Sequence, residues 1–243
     1  MRRAAAVIFL MLLVVAGGVA YWLFSPPPIV ASLRSLPEVA KVEYVGRADA
    51  PLIVVHIRSW HHVPRDLCEL DGIDFDANLK AVEPVQEEEM AIARHLIREH
   101  GLTTIYSEGL TPETMPHLAL RLRLLKDFED VDQAGGSDAE SRRMQRELTL
   151  EIGAPGRMLH SGEIEKVTPL EDAAALDDAR PTGENGMLKM DARKIQARRR
   201  AMVQQLPKTG LAVIVLGGSH DLGPHLGSDA LYVRVTPRSY PGD

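Results

Sequence analysis

The chain has 243 residues, 45% of them hydrophobic and 26% charged, with a formal net charge of −6 and a single cysteine, Cys68. That is the composition of an ordinary globular domain able to bury a sizeable core. The acidic balance argues against nucleic acid as the partner, and one cysteine excludes an intrachain disulfide, leaving Cys68 to read as a small buried hydrophobe.

The N-terminus, MRRAAAVIFLMLLVVAGGVAYWLFSPPP, has Arg2 and Arg3 and then no charge until Arg34. Its apolar run at 4–24 would be roughly 31 Å long as a helix, which matches the bilayer hydrocarbon core. Tyr21 and Trp22 sit where an interfacial aromatic belt lies, and Pro26 to Pro28 stop the helix. The two arginines favour an N-in orientation, which places everything after residue 28 across the membrane. A cleaved signal peptide ending near Gly18-Val19-Ala20 gives the same destination. The run is longer than a usual signal core, which favours an uncleaved anchor. The organisation expected is an anchor or signal segment at 1–28, a linker at 29–40 and a single α/β domain at 41–243, with a helical insertion at about 111–206.

Residues 41–45 (KVEYV) and 51–57 (PLIVVHI) read as two short strands joined by a turn. The second is apolar enough to be covered on both faces. EPVQEEEMAIARHLIREHG reads as a helix: Pro84 suits its first turn, Glu87 to Glu89 and the late basic residues complement its dipole, and Gly101 ends it. Ile92, Ala93, Leu96 and Ile97 form the buried stripe, and the acidic run is accounted for by helix electrostatics. Residues 102–106 are the next strand, so strand, helix and strand predict a right-handed βαβ unit. Residues 111–145 are helical with a break at QAGGSDAES. GAPGRMLHSGEIEKVTPLED reads as loop with a short strand at 164–168, and DDARPTGENG as a loop. MLKMDARKIQARRRAMVQQL is a helix with Met190, Ile195, Met202, Val203 and Leu206 towards the core, and Arg198, Arg199 and Arg200 as a solvated face. Strands at 211–216 and 230–235 complete the chain. The fold class expected is α/β, a mostly parallel central sheet flanked by helices, with a helical insertion and an N-terminal transmembrane helix.

Three of these strands finish in polar groups. HIRSWHHVP supplies His61 and His62, YSEG supplies Glu108, and GGSHD supplies His220 and Asp221. Ligands of open parallel sheets bind beyond the carboxyl ends of the strands, so two imidazoles and a carboxylate distant in sequence can meet in one crevice. Gly217 and Gly218 allow a tight turn and a close backbone approach there. Two histidines and a carboxylate can hold a divalent metal with positions open for water. Without a metal, the same groups serve as general acid and base, Glu108 orienting a histidine or taking its proton. G-x-S-x-G, H-E-x-x-H and P-loop signatures are absent from the sequence. The bland alternative for each histidine is a loop-end imidazole satisfied by backbone.

The order strand–x-x-x-His, strand–Glu-Gly, strand–Gly-x-x-His resembles the erythromycin esterase / ChaN / TraB–TIKI superfamily, in patches over roughly 52–226. VIVLGGSHDLG is the best-matching part, and IYSEGL is similar to the family's central acidic strand end. DARKIQARRRAMV resembles a helix that carries an arginine, Arg193 by position. GAPGRMLHSGEIEKVTPLED is similar to a middle segment of the ChaN-like branch. The first motif departs: where the family has Gly-(Glu or Thr)-x-His, this chain has Arg58-Ser59-Trp60-His61, so Ser59 stands in place of the acid. His61 is the positional match, and His62 aligns with the TIKI-type motif instead.

The resemblance implies His61, Glu108 and His220 as catalytic residues or divalent-metal ligands, with Arg193 and Asp221 as cofactor-binding positions. Its members include lactone hydrolases, metal-dependent membrane-anchored proteases and a haem-binding lipoprotein. The function expected is therefore a membrane-anchored, exported hydrolase-like domain acting on a small molecule or peptide. The alternatives are a non-catalytic binder of haem or another small ligand, and a structural domain.

Overall fold

The structure is a computed structural model that describes residues 26–180 and 190–242. The expected membrane span at 4–24 lies outside the described residues, as does most of the loop before residue 190. Among the described residues no helix is long and apolar enough to cross a membrane.

The strands are β1 (Val39–Val45), β2 (Leu52–Ser59), β3 (Thr104–Ser107), β4 (Lys166–Pro169), β5 (Gly210–Gly217) and β6 (Ala230–Pro237). They form one six-stranded sheet in the order β1-β6-β2-β5-β3-β4. Every neighbouring pair is parallel except β1 with β6. The helices are α1 (Pro28–Arg34), α2 (Arg65–Asp71), α3 (Phe75–His100), α4 (Met115–Gln133), α5 (Ala139–His160), α6 (Ala173–Asp178) and α7 (Ala192–Gln205). The chain is thus α/β with a mostly parallel sheet, as its pattern of elements predicts.

The central strands are apolar because both of their faces are covered. Side chains alternate between faces along a strand. Val55 and Ile57 of β2, Val213 and Val215 of β5, and Val233 and Val235 of β6 pack with α1, α3, α4 and α5. Val54, Ile214, Leu216 and Tyr232 point to the opposite face, where Met202 of α7 and Leu206 at its C-cap cover them. Cys68 of α2 is fully buried, as a small hydrophobe should be.

The structure corrects several local expectations. β1 and β2 run antiparallel but are not paired, because β6 lies between them and hydrogen-bonds to both. Proximity in sequence suggested a hairpin, whereas a doubly buried strand needs a ladder partner on each edge. Residues 29–40 are not merely a linker: α1 places Ile29, Val30 and Leu33 in the core. The helix read from Pro84 begins nine residues earlier, at Phe75, with Asp74 as its cap accepting the Ala77 N–H, and Pro84 lies inside it. GAPGRMLH is not loop. It is the last part of α5, which bends at Gly153 (φ 68°, ψ 175°) and resumes through Pro155. A proline without an amide hydrogen is tolerated at the start of a helical segment, so these breaker residues mark a kink. Met190, expected in the core, is 62% exposed just ahead of α7.

Asp74 satisfies an otherwise unpaired amide at the start of α3, the longest helix among the described residues. Asp74→Ala is expected to lower stability by about 1 kcal/mol, read as a fall in the urea midpoint at constant slope.

Candidate functional site

β2, β5 and β3 lie side by side and parallel, with Ser59 opposite Gly217 and Ser107 opposite Val215. The three chains therefore leave the sheet at one rim. The Glu108 N–H extends the ladder by one bond to the Val215 carbonyl, at 3.1 Å. His61, Glu108 and His220 all follow this rim within a few residues, and the structure brings the three together.

Glu108 is the hub. Its Oε2 accepts from His61 Nε2 at 2.8 Å and from the Gly217 N–H at 2.6 Å. Its Oε1 accepts from His220 Nε2 at 3.1 Å and from the Arg198 guanidinium at 2.9 Å. Burial opposes ionisation of Glu108, but the hydrogen bonds and charge of His220 and His61 win and hold the carboxyl well below its ordinary value of 4.5. Burial likewise opposes charging of His61, while the hydrogen bond and charge of Glu108 raise its pKa overall. The His61 side chain remains 53% exposed, against 11% for Glu108 and 10% for His220.

The two glycines after β5 have a steric reason. A Cβ on Gly217 would stand 2.8 Å from His61 Nε2 and 3.1 Å from Glu108 Oε2. A Cβ on Gly218 would stand 2.1 Å from the Tyr240 hydroxyl oxygen. The carboxylate and imidazole thus occupy the space that any side chain at 217 would take.

Arg198 corrects the expectation of a solvated arginine face. It comes from α7 and is only 16% exposed. It reaches Glu108 and also grips Glu171, with Nε to Oε2 at 3.1 Å. Glu171 itself is 1% exposed. Successive residues on a helix point about 100° apart, so three adjacent arginines cannot share one environment. Arg199 instead donates to the Ser219 carbonyl at 2.8 Å. Arg193, the arginine assigned by resemblance, is exposed in the first turn of α7, and it is Arg198 that reaches the hub. Asp221 turns its Oδ1 to the Gly223 N–H, which shapes the loop after His220. His62 packs edge-on against Phe75 with ring centroids 5.8 Å apart, and burial lowers its pKa.

Beside the hub opens a cavity of about 230 Å³ whose lining includes Ser59, His61, Gln86, Glu89, Glu108 and the kink of α5. Glu89, on α3, is 1% exposed. Burial pushes its carboxyl up to about 8, against the pull of the Ser59 hydroxyl and the charge of His61. A carboxyl group therefore does stand beside Ser59, although α3 supplies it. The sequence reading missed Glu89 because it assigned residues 87–89 together to helix electrostatics. The signal was its spacing: Glu89 lies three, four and seven residues before Ile92, Ala93 and Leu96, on the buried stripe.

Among the described residues no group of three His, Cys, Asp or Glu side chains is arranged to hold a metal ion. Each Glu108 oxygen already accepts two hydrogen bonds, which uses the roughly four lone-pair sites of a carboxylate. One of those donors is the Arg198 guanidinium.

Glu108→Gln replaces the shared acceptor with an amide. Expected is a loss of about 3 kcal/mol at pH 7, the scale for breaking a buried pair, measured by denaturant unfolding. The depressed pKa makes the wild-type advantage complete above pH 4.5 and lost as pH falls towards the folded-state value, so the two stability curves should converge in acid. No family model, no curated protein and no solved structure matches the chain significantly; the chemistry of the site is read from its own geometry.

Proposed function

We propose that the protein is a hydrolase-like domain that acts by general acid–base chemistry on a small substrate. The observation that carries this reading is the Glu108–His61 pair: a buried, ionised carboxylate holds Nε2 of an imidazole whose ring borders a cavity and is half exposed. In the neutral ring, which the raised pKa of His61 confines to pH above its ordinary value of 6.5, Nε2 donates to Glu108 and Nδ1 is left as the base for a water molecule. The carboxylate fixes the tautomer and stabilises the imidazolium that forms. His220 and His61 keep Glu108 ionised, and Arg198 and the Gly217 amide hold it in place. The order of the three strand-end motifs, which resembles the erythromycin esterase / ChaN / TraB–TIKI superfamily, supports the same reading.

The filled hydrogen-bond capacity of Glu108 favours metal-free chemistry over a divalent-metal site at His61, Glu108 and His220. The cavity, about 230 Å³, lies below the roughly 300–1,000 Å³ of typical ligand pockets, which favours a small substrate over a haem-sized ligand. We further propose that the apolar segment at 4–24 anchors the domain on the extracytoplasmic side of a membrane.

Two outcomes are expected. His61→Ala should lower kcat/KM for a short-chain p-nitrophenyl ester by about 100-fold or more, while EDTA leaves the wild type unchanged. Retained hydrolysis in His61→Ala removes the acid–base reading, and loss on chelation replaces it with the metal reading. The full chain should sediment with membranes through an alkaline wash, and a form lacking residues 1–25 should stay in the supernatant.

A further inference from the structure

The inner wall of the cavity holds an unusual concentration of buried polar atoms without protein partners. Both carboxyl oxygens of Glu89, Oε1 of Gln86 and both ring nitrogens of His62 lack a hydrogen bond of normal geometry. All three residues line the same cavity. Buried polar atoms are nearly always paired, and leaving one unpaired is costly. Three such residues in one wall point to a bound group that pairs with them. Gln86 is held in place by its amide, whose Nε2 donates to the Leu150 carbonyl at 2.8 Å. Its oxygen is thereby left as an acceptor without a partner, while a carboxylic acid and a neutral imidazole each offer a donor and an acceptor. This is a wall for the uncharged, hydroxyl-bearing part of a substrate.

The other titratable groups on the cavity are committed. Glu108 is matched by four donors, His61 is held by it, and Arg121 and Glu151 pair with each other at 2.6 Å. His62 is kept uncharged by burial. With His61 assigned as the base, Glu89, which stays protonated at neutral pH, is the cavity carboxyl with a proton to give.

We propose that Glu89 is the acid of this site, giving its proton to the leaving-group oxygen, while Gln86 and His62 hold the neutral remainder of the leaving group. The inference rests on the acid–base reading of His61. In the step, His61 Nδ1 takes a proton from water as the water oxygen bonds to the substrate carbonyl carbon and the carbonyl π pair moves onto its oxygen. That pair then re-forms the carbonyl as the carbon–oxygen bond to the leaving group breaks, and the departing oxygen keeps the pair of the broken bond and takes the Glu89 proton. The products are a carboxylic acid and an alcohol. His61 is left as imidazolium and Glu89 as carboxylate, opposite charges formed in one cavity, and solvent returns the proton from the first to the second.

The test compares two acetate esters on wild type and Glu89→Gln. Ethyl acetate has a leaving group that needs a proton, and p-nitrophenyl acetate has one that leaves as an anion. Glu89→Gln is expected to lower kcat for the ethyl ester by about 100-fold or more and to change the nitrophenyl rate by less than about threefold. Equal losses on both esters, or no loss on the ethyl ester, overturn the assignment. Since an amide does not ionise, Glu89→Gln should unfold at a temperature no lower than wild type at pH 8. The wild type supplies a second readout that needs no variant. Its kcat for the ethyl ester should fall as pH rises through Glu89 ionisation while that for the nitrophenyl ester does not, and parallel profiles count against Glu89. A wild type that hydrolyses neither ester refutes the underlying acid–base reading; one that hydrolyses both, with no selective effect at Glu89, refutes this inference alone.

Discussion

A carboxylate almost removed from water must be met by donors, and Glu108 dictates much of the rim for that reason. Its four donors come from four different parts of the chain: His61 after β2, the Gly217 amide at the end of β5, His220 in the following turn, and Arg198 on α7. Each imposes a constraint. β2, β5 and β3 must keep their register, residue 217 must lack a side chain, and α7 must lie across the sheet so that its seventh residue, Arg198, reaches the rim. Arg198 is neutralised in turn by the fully buried Glu171 just after β4. One ion network thus ties together the middle and one edge of the sheet.

The cavity holds two carboxyl groups in opposite states. Glu108 has donors on every side and stays ionised; Glu89 is buried with neither carboxyl oxygen paired and keeps its proton. Pairs of acids pushed apart in this way are how a site performs acid and base chemistry near neutral pH. The separation arises from position alone. Glu108 leaves a strand at the rim, where backbone amides and long side chains converge. Glu89 projects from a helix that packs on the sheet face, where its neighbours on the stripe are Ile92, Ala93 and Leu96.

The turn that carries His220 is braced from behind. Arg234 of β6 donates to the Gly218 carbonyl. The Arg58 guanidinium stacks over the Tyr240 ring at 4.2 Å, and Trp60 meets the same ring edge-on. Ser239 is tied to Glu88 on α3 through both its amide and its hydroxyl. The C-terminal segment therefore closes over the turn and fixes the position of residues 217–220. In the same way the kink at Gly153 lets one long helix run along α4 and then form a wall of the cavity. Rigid support of this kind holds a site near its working geometry.

The amino-acid sequence by itself determined the layered α/β class, the doubly buried strands and the convergence of His61, Glu108 and His220, because hydrophobic period and strand-end chemistry are local properties. The tertiary structure alone decided which arginine enters the site, that β6 separates β1 from β2, and that Glu89 faces a cavity. Arg198 and its two neighbours are the same residue type, and the angle at which the helix packs determines which of them enters the site; the spacing of Glu89 puts it on the buried stripe, but the cavity it faces is made by the loop after β2 and the kink of α5. Strand order has the same origin, since a ladder partner is chosen by burial on both sides of the sheet, and distance along the chain does not reveal it.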